Sequence, residues 1–234
     1  MRPFRLRPFK ELIDLIFPRH CCCCGDLLVG DERHLCTHCL LHLPYTHNAV
    51  VPENETEQHF QAYPAVAAAY SLLYFRQNSA TRQIIHHIKY RGDKRLALAM
   101  GRMMGQQLAT SGRFDQIDLI VPVPLHRRRE QQRGYNQSEL LCRGIACALY
   151  KPVEIRNLVR IVNTESQTHM SADERAENVR GAFCVRRPDA LAGHHILLVD
   201  DVITTGSTTA ACCNALLTVE NIRISVASLA LAVG

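Results

Sequence analysis

ILLVDDVITTGST, residues 196–208, begins with four apolar residues and turns acidic at Asp200 and Asp201. It then enters a loop of small hydroxyl residues around Gly206, ahead of a helix expected to start near Thr208. A short apolar run bounded by turn residues reads as a buried strand, so the local order is strand, loop, helix. A glycine in a tight turn lets backbone N–H groups converge. The helix N-terminus adds partial positive charge, so a phosphate can be held there without a lysine. Thr204, Thr205, Ser207 and Thr208 offer further donors. Two adjacent carboxylates supply paired acceptors, which suits the vicinal 2′- and 3′-hydroxyls of a ribose. An acid pair followed by a phosphate loop therefore reads as a ribose-phosphate site. A P-loop would need a lysine after the glycine, whereas Gly206 is followed by Ser207, Thr208 and Thr209. A dinucleotide fingerprint would need further glycines in fixed register, and Gly206 stands alone.

Working outward, the pattern of strand, loop and helix recurs from Ile117 onward. DLIVPVP precedes SELLCRGIACALY, and HILLVDD, TTAACCNALLTV and IRISVASLALAV follow after a middle region. Apolar strands alternating with helices predict an α/β fold with a parallel sheet and helices on its faces, with ligands bound beyond the carboxyl ends of the strands. Upstream, residues 65–75 read as a strand and residues 80–90 as a helix with Ile84, Ile85 and Ile88 on one face. Residues 95–110 read as a second helix, with Gly112 as its stop. Its stripe of Leu96, Met100, Met103, Met104 and Leu108 reads as core rather than as a cofactor box.

LLVDDVITTGST looks like the signature of type I phosphoribosyltransferases. VPVPLHRRREQQRGYNQSELL at residues 121–141, QTHMSADERAENVRGAF at residues 167–183 and IKYRG at residues 88–92 extend the likeness. The chain from Leu12 onward resembles the ComF/GntX family of competence-type, phosphoribosyltransferase-like proteins. The resemblance implies a Rossmann-like type I phosphoribosyltransferase fold that binds phosphoribosyl diphosphate with Mg²⁺. Asp200 and Asp201 would take the ribose hydroxyls. Thr204, Thr205, Gly206, Ser207 and Thr208 would take the 5-phosphate. The turn Pro122, Val123, Pro124 and Leu125 would lie at the diphosphate. It also implies a role in DNA uptake, so single-stranded DNA is the expected partner of a second, non-catalytic reading.

HRRREQQRGYNQ, residues 126–137, follows the strand expected at residues 117–123 and reads as turn-rich. Arg133 is expected to act from a mobile loop closing over the departing diphosphate. Arg127, Arg128 and Arg129 are read equally as solvated surface, and as a grip on nucleic-acid phosphates they would have Tyr135 available to stack a base.

Six of the 11 cysteines fall within residues 21–39. Cys21-x-x-Cys24 and Cys36-x-x-Cys39 have zinc-ribbon spacing, since each turn brings a pair of thiolates onto one tetrahedral ion. Cys22 and Cys23 are alternative ligands by spacing, and the family pattern favours the outer pair. With four protein ligands the zinc would be structural, and replacing Cys36 would unfold this module while sparing the rest. The polar stretch at residues 51–63 resembles a linker. Three parts are expected: an N-terminal helix with the zinc-ribbon module at residues 1–50, the linker at 51–63, and the phosphoribosyltransferase-like domain at 64–234. The chain carries 47% hydrophobic residues and a formal charge of +5, which suits a buried core and permits an anionic partner. No stretch reaches the roughly 20 apolar residues of a membrane span. The odd cysteine count and the lack of a leader-like segment point to a reducing compartment, with the cytoplasm as the expected location.

Overall fold

A computed structural model describes residues 17–63, 65–162 and 181–233. The expected N-terminal helix and most of the motif at residues 167–183 lie outside them. In chain order the elements are α1 (Thr37–Leu41), α2 (Glu55–Gln58), β1 (Val66–Phe75), α3 (Ala80–Tyr90), α4 (Lys94–Ser111), β2 (Leu119–Pro122), α5 (Arg127–Arg133), α6 (Gln137–Leu149), β3 (Leu158–Arg160), β4 (Phe183–Val185), β5 (His195–Ile203), α7 (Ser207–Leu216) and β6 (Arg223–Ala232). Short 3₁₀ turns at Asn48–Val50 and Pro188–Ala190 complete them. No helix among the described residues is long and apolar enough to cross a membrane.

The expected parallel sheet is present, in the order β1-β6-β5-β2, with every neighbouring pair parallel. β3 and β4 form a separate antiparallel pair. The central strands are buried on both faces, which explains their nearly continuous apolar sequence. In β5, Leu197 and Val199 join one core and Ile196 and Leu198 the other, the alternation a strand imposes. The first core lies under α3, α4 and α6 and includes Leu96, Met100, Met104 and Leu108, so the methionine stripe is core as expected. The second lies under α7 and includes Cys212, Cys213 and Leu216.

β5 runs past the acids to Ile203, so Asp200 and Asp201 are strand residues and not the first residues of the loop. The apolar run suggests an earlier end. β6 overrides it by continuing the ladder, pairing Val202 with Ala230 and Ile203 with Leu231. The basic stretch also differs from expectation, since Arg127–Arg133 is a helix and not a loop. The His126 side chain accepts from Arg128 N, and Gly134 closes the last turn at φ 80 with its N–H on Glu130 O.

The stretch with linker composition is docked onto the sheet. Asn54 caps α2 and donates to Ala69 O at 3.0 Å, Glu57 accepts from Ala69 N, and Phe60 is buried in the second core. Thr46 N donates to Leu72 O and Tyr74 N to Pro44 O, so residues 44–57 cover the outer edge of β1. Polarity here reflects a hydrogen-bonding role at an open sheet edge, which would otherwise be left unpaired.

Candidate functional site

β2 and β5 lie side by side with Pro122 opposite Val199, so the turn after one strand meets the acids of the other. Val123 N donates to Val199 O at 2.8 Å, and the Asn136 side chain donates to Val123 O at 3.0 Å. Pro122 and Val123 are buried, while Pro124 and Leu125 are partly exposed. The structure thus brings the turn at residues 122–125 and the acid pair to the same end of the sheet, as the sequence led us to expect.

Asp200 and Asp201 are both buried, at 7% and 6% exposure. Asp200 accepts from Asp201 N at 2.8 Å, from Ser138 Oγ at 3.4 Å and from Thr209 Oγ1 at 3.3 Å. Burial, and next the neighbouring Asp201 carboxylate, push the Asp200 carboxyl up to about 7. Asp201 is paired with Lys89, whose Nζ lies 2.8 Å from Oδ2. Burial works against the Lys89 ammonium, but the attraction of Asp201 outweighs it and holds the group above its usual range. Lys89 belongs to the IKYRG stretch, yet its role was not legible from sequence. A single lysine at the end of a helix carries no signal until the fold delivers it to an acid more than a hundred residues away.

Beside this pair lies a cavity of about 680 Å³ lined by Lys89, Tyr90, Arg91, Arg129, Arg133 and Tyr135, among others. Arg133 donates to Gln137 Oε1, and its guanidinium sits 5.9 Å from the Tyr90 ring centroid. α5 divides the basic cluster: Arg129 and Arg133 face this cavity, whereas Arg127 and Arg128 are exposed. Tyr135 is buried and its hydroxyl donates to Ile88 O, so it is not available to stack a base as the sequence had suggested.

The loop expected to hold a phosphate follows β5. Gly206 has φ 76, a left-handed conformation that a side chain would strain, and it stands at the N-cap of α7. Thr204 and Thr205 are exposed and Ser207 and Thr208 partly so. Thr205 Oγ1 lies 2.8 Å from Ser207 Oγ and accepts from Ser207 N. The first-turn amides and these hydroxyls form a neutral donor nest.

In the N-terminal module the sulfurs of Cys21, Cys24, Cys36 and Cys39 all lie within 4.8 Å of one another, a group that could hold a metal ion. Cys22 and Cys23 are not members of this group, and Cys23 Sγ lies 3.6 Å from Ala80 O. The geometry therefore selects the outer pair that spacing alone left open. Burial raises the Cys21 thiol, but backbone N–H groups around it outweigh this and bring it to about 6, favouring the thiolate a metal needs.

No family model matches the chain. It is 36% identical over 120 residues to the DNA utilization protein YhgH of Salmonella typhi, covering 50% of the chain and 52% of the relative. It is 35% identical over the same length to the protein of that name in Escherichia coli, again covering 50% and 52%. Competence protein F of Haemophilus influenzae is 32% identical over 104 residues, 43% of the chain and 45% of the relative. The chain spans about half the length of the curated relatives it matches. Among solved structures it is similar to a hypothetical protein from Neisseria gonorrhoeae with bound ppGpp, with TM-score 0.38 and 15% identity over 60% of this chain and 69% of that one. It is also similar to the hypoxanthine phosphoribosyltransferase of Trypanosoma cruzi, with TM-score 0.38 and 12% identity over 59% and 74%. The resemblance to competence-type proteins of the ComF/GntX family accordingly rests on about half of the chain, together with a four-cysteine cluster of the expected composition.

Proposed function

We propose that this chain binds phosphoribosyl diphosphate at the carboxyl end of its parallel sheet, and that it is a phosphoribosyltransferase-like protein of the competence type. The observation that carries this is a buried carboxylate pair, Asp200 and Asp201, set between a neutral phosphate loop and a cationic cavity. Three chemically distinct neighbours suit the three parts of one ligand. The acids accept from the ribose hydroxyls, the amides and hydroxyls of Thr204–Thr208 hold the 5-phosphate, and Lys89, Arg91 and Arg133 offset the diphosphate. Proteins similar to this chain bear names that refer to competence and DNA utilization, which supports the competence type.

If transfer occurs, the bond between C1 of the ribose and the diphosphate oxygen breaks, the bonding electrons leave with the diphosphate, and an acceptor nucleophile closes on C1. Ribose and phosphate held at both ends keep C1 aligned for that attack. Arg133, on a helix over the cavity, stabilises the charge that develops on the leaving group. Two carboxylates engaged by Lys89, Ser138 and Thr209 do not form a metal cage by themselves. They do fit Mg²⁺ arriving on the ligand's own phosphates, where it would neutralise the diphosphate. The Cys21, Cys24, Cys36 and Cys39 thiolates fit a structural Zn²⁺. Residues 1–50 and 64–234 are the proposed functional units, packed on one shared core among the described residues, and the cytoplasm is the proposed location.

Titration calorimetry with Mg²⁺ and phosphoribosyl diphosphate tests the reading. Asp201→Asn and Gly206→Val should each weaken binding on the order of tenfold or more, since one charge-assisted bond is worth about 1.5–3 kcal/mol. Equal affinity in wild type and both variants would exclude the site.

The exposure of Arg127 and Arg128 favours a second reading, in which the chain handles single-stranded DNA. Log affinity for an oligonucleotide should then fall with log salt by about 0.7 per neutralised phosphate. Glutamine at both positions should flatten the slope by roughly 1.4. No retention of a labelled strand at low salt removes this reading.

A further inference from the structure

On the opposite side of α5 from the cationic cavity lies a second cleft, of about 430 Å³, between α5, the turn at residues 122–125 and the β3–β4 pair. Nothing in the sequence marked it, because its walls come from four separate stretches. Four guanidinium groups line it, those of Arg127, Arg156, Arg160 and Arg186. Arg127, Arg156 and Arg186 enter no ion pair among the described residues. Of the two carboxylates in the lining, Glu139 is held by Arg143 at 2.6 Å, which leaves Glu130 beside three arginines that enter no ion pair among the described residues. The same walls carry exposed apolar surface: Ile155 is 39% exposed and Ile161 58%. Arg160 spreads its guanidinium over the Phe183 ring, 5.4 Å from the centroid, presenting a flat face of its own.

Unneutralised cations beside exposed apolar and planar surface call for a ligand that is anionic at one end and flat at the other. A free inorganic anion would leave Ile155 and Ile161 bare, and a neutral base would leave the arginines unanswered. We propose that this cleft binds a nucleotide, its phosphate on Arg127, Arg156 and Arg186 and its base against Ile155, Ile161 and the Arg160 plane. The turn at residues 122–125 forms the wall between the cleft and the ribose-phosphate site. The nucleotide therefore occupies a site separate from the ribose-phosphate site, and its binding does not rest on the function proposed above. The shared chemistry has two sources, a free nucleoside monophosphate or the 5′-phosphorylated end of a DNA strand.

Calorimetry on the full chain with thymidine 5′-monophosphate, thymidine, inorganic phosphate and a 5′-phosphorylated oligothymidylate tests this. The monophosphate should bind at least tenfold more tightly than either thymidine or phosphate. In Arg156→Gln/Arg186→Gln, checked for an unchanged melting temperature, that advantage should disappear. Affinity of the oligonucleotide above that of the monophosphate identifies a strand end as the ligand; equal or lower affinity identifies the free nucleotide. Three results would overturn the proposal: thymidine or phosphate binding as well as the monophosphate, no effect of the double variant, or loss of monophosphate binding in Lys89→Gln alone, which would place the ligand in the other cavity. A destabilised double variant is replaced by the single Arg156→Gln and Arg186→Gln changes, read by the same comparison. Phosphoribosyl diphosphate is titrated in parallel. Its failure to bind wild type defeats the function proposed above and leaves the cleft standing, while its binding unchanged in the double variant separates the two sites.

Discussion

Asp200 is held in a conflict between burial and charge. Its carboxyl is buried and adjacent to a second acid, and these outweigh the bonds it accepts from Asp201 N and Thr209 and the nearby Lys89 ammonium, so ionisation is pushed up to about 7. An unfolded aspartate ionises near about 4. Between those values the unfolded chain gives up a proton that the native state keeps, so this residue withdraws stability as pH rises toward 7 and the loss is complete above it. Asp200→Asn removes the titration while keeping the shape. The variant should melt higher than wild type at pH 8 by more than about 2 °C, with the gain shrinking at pH 5. Phosphoribosyl diphosphate binding should weaken at the same time. Scanning calorimetry at the two pH values checks this, and a variant less stable than wild type at pH 8 contradicts it. Lys89 pairs with the Asp201 carboxylate and carries a cation into the adjoining cavity.

Among the elements, α4 and α6 approach one another as closely as backbones allow, and glycine is the reason. A Cβ at Gly101 would stand 2.3 Å from Leu141 O, and one at Gly144 only 2.4 Å from Leu98 O and 2.8 Å from Arg102 N. These neighbours are backbone and cannot rotate away. Gly144→Ala gains about 1 kcal/mol in helix propensity, against an overpacking cost at the upper end of about 1–3 kcal/mol or beyond. The net effect should be a loss of stability, read as a lower midpoint in urea. A midpoint at or above wild type would show that the two helices can separate at little cost. The packing matters for the proposed site because the α6 N-cap Asn136 and its first-turn Ser138 hold the turn after β2 and the Asp200 carboxylate. α5 acts by division, sending Arg129 and Arg133 toward one cavity and Arg127 toward the other.

At the scale of the molecule the cysteine module is not a separate bead. Cys21, Leu28, Leu35, Cys36 and Leu43 share one apolar core with Tyr70, Ile84 and Met100. His34, from the loop between the two cysteine pairs, lies 3.2 Å from Asp93, the N-cap of α4. We expect about one zinc per chain by elemental analysis, since four clustered thiolates suit one tetrahedral ion. Cys36→Ser should lower the melting of the whole chain in one transition, whereas the sequence alone suggested damage confined to the module. Two separated transitions, with the sheet melting at its wild-type temperature, would restore the independent module.

Much of this was legible locally. The acid pair, Gly206 and its hydroxyl neighbours, and the paired cysteines are short-range patterns whose meaning depends on residues a few positions apart, so the sequence by itself determined the parallel α/β class, the glycine turn between β5 and α7 and the composition of the four-cysteine cluster. The helices at residues 80–90 and 94–111 were equally plain, because their apolar spacing is set by their own geometry. Tertiary structure decided what depends on distant partners. It extended β5 through the acids by pairing it with β6 and docked the polar stretch at residues 51–63 onto an open edge. It left Cys22 and Cys23 out of the four-thiol group and buried Tyr135 against α3. It also brought Lys89 to Asp201. Charge and exposure at such positions are properties of neighbours contributed from across the chain, and no residue's own identity or spacing encodes them.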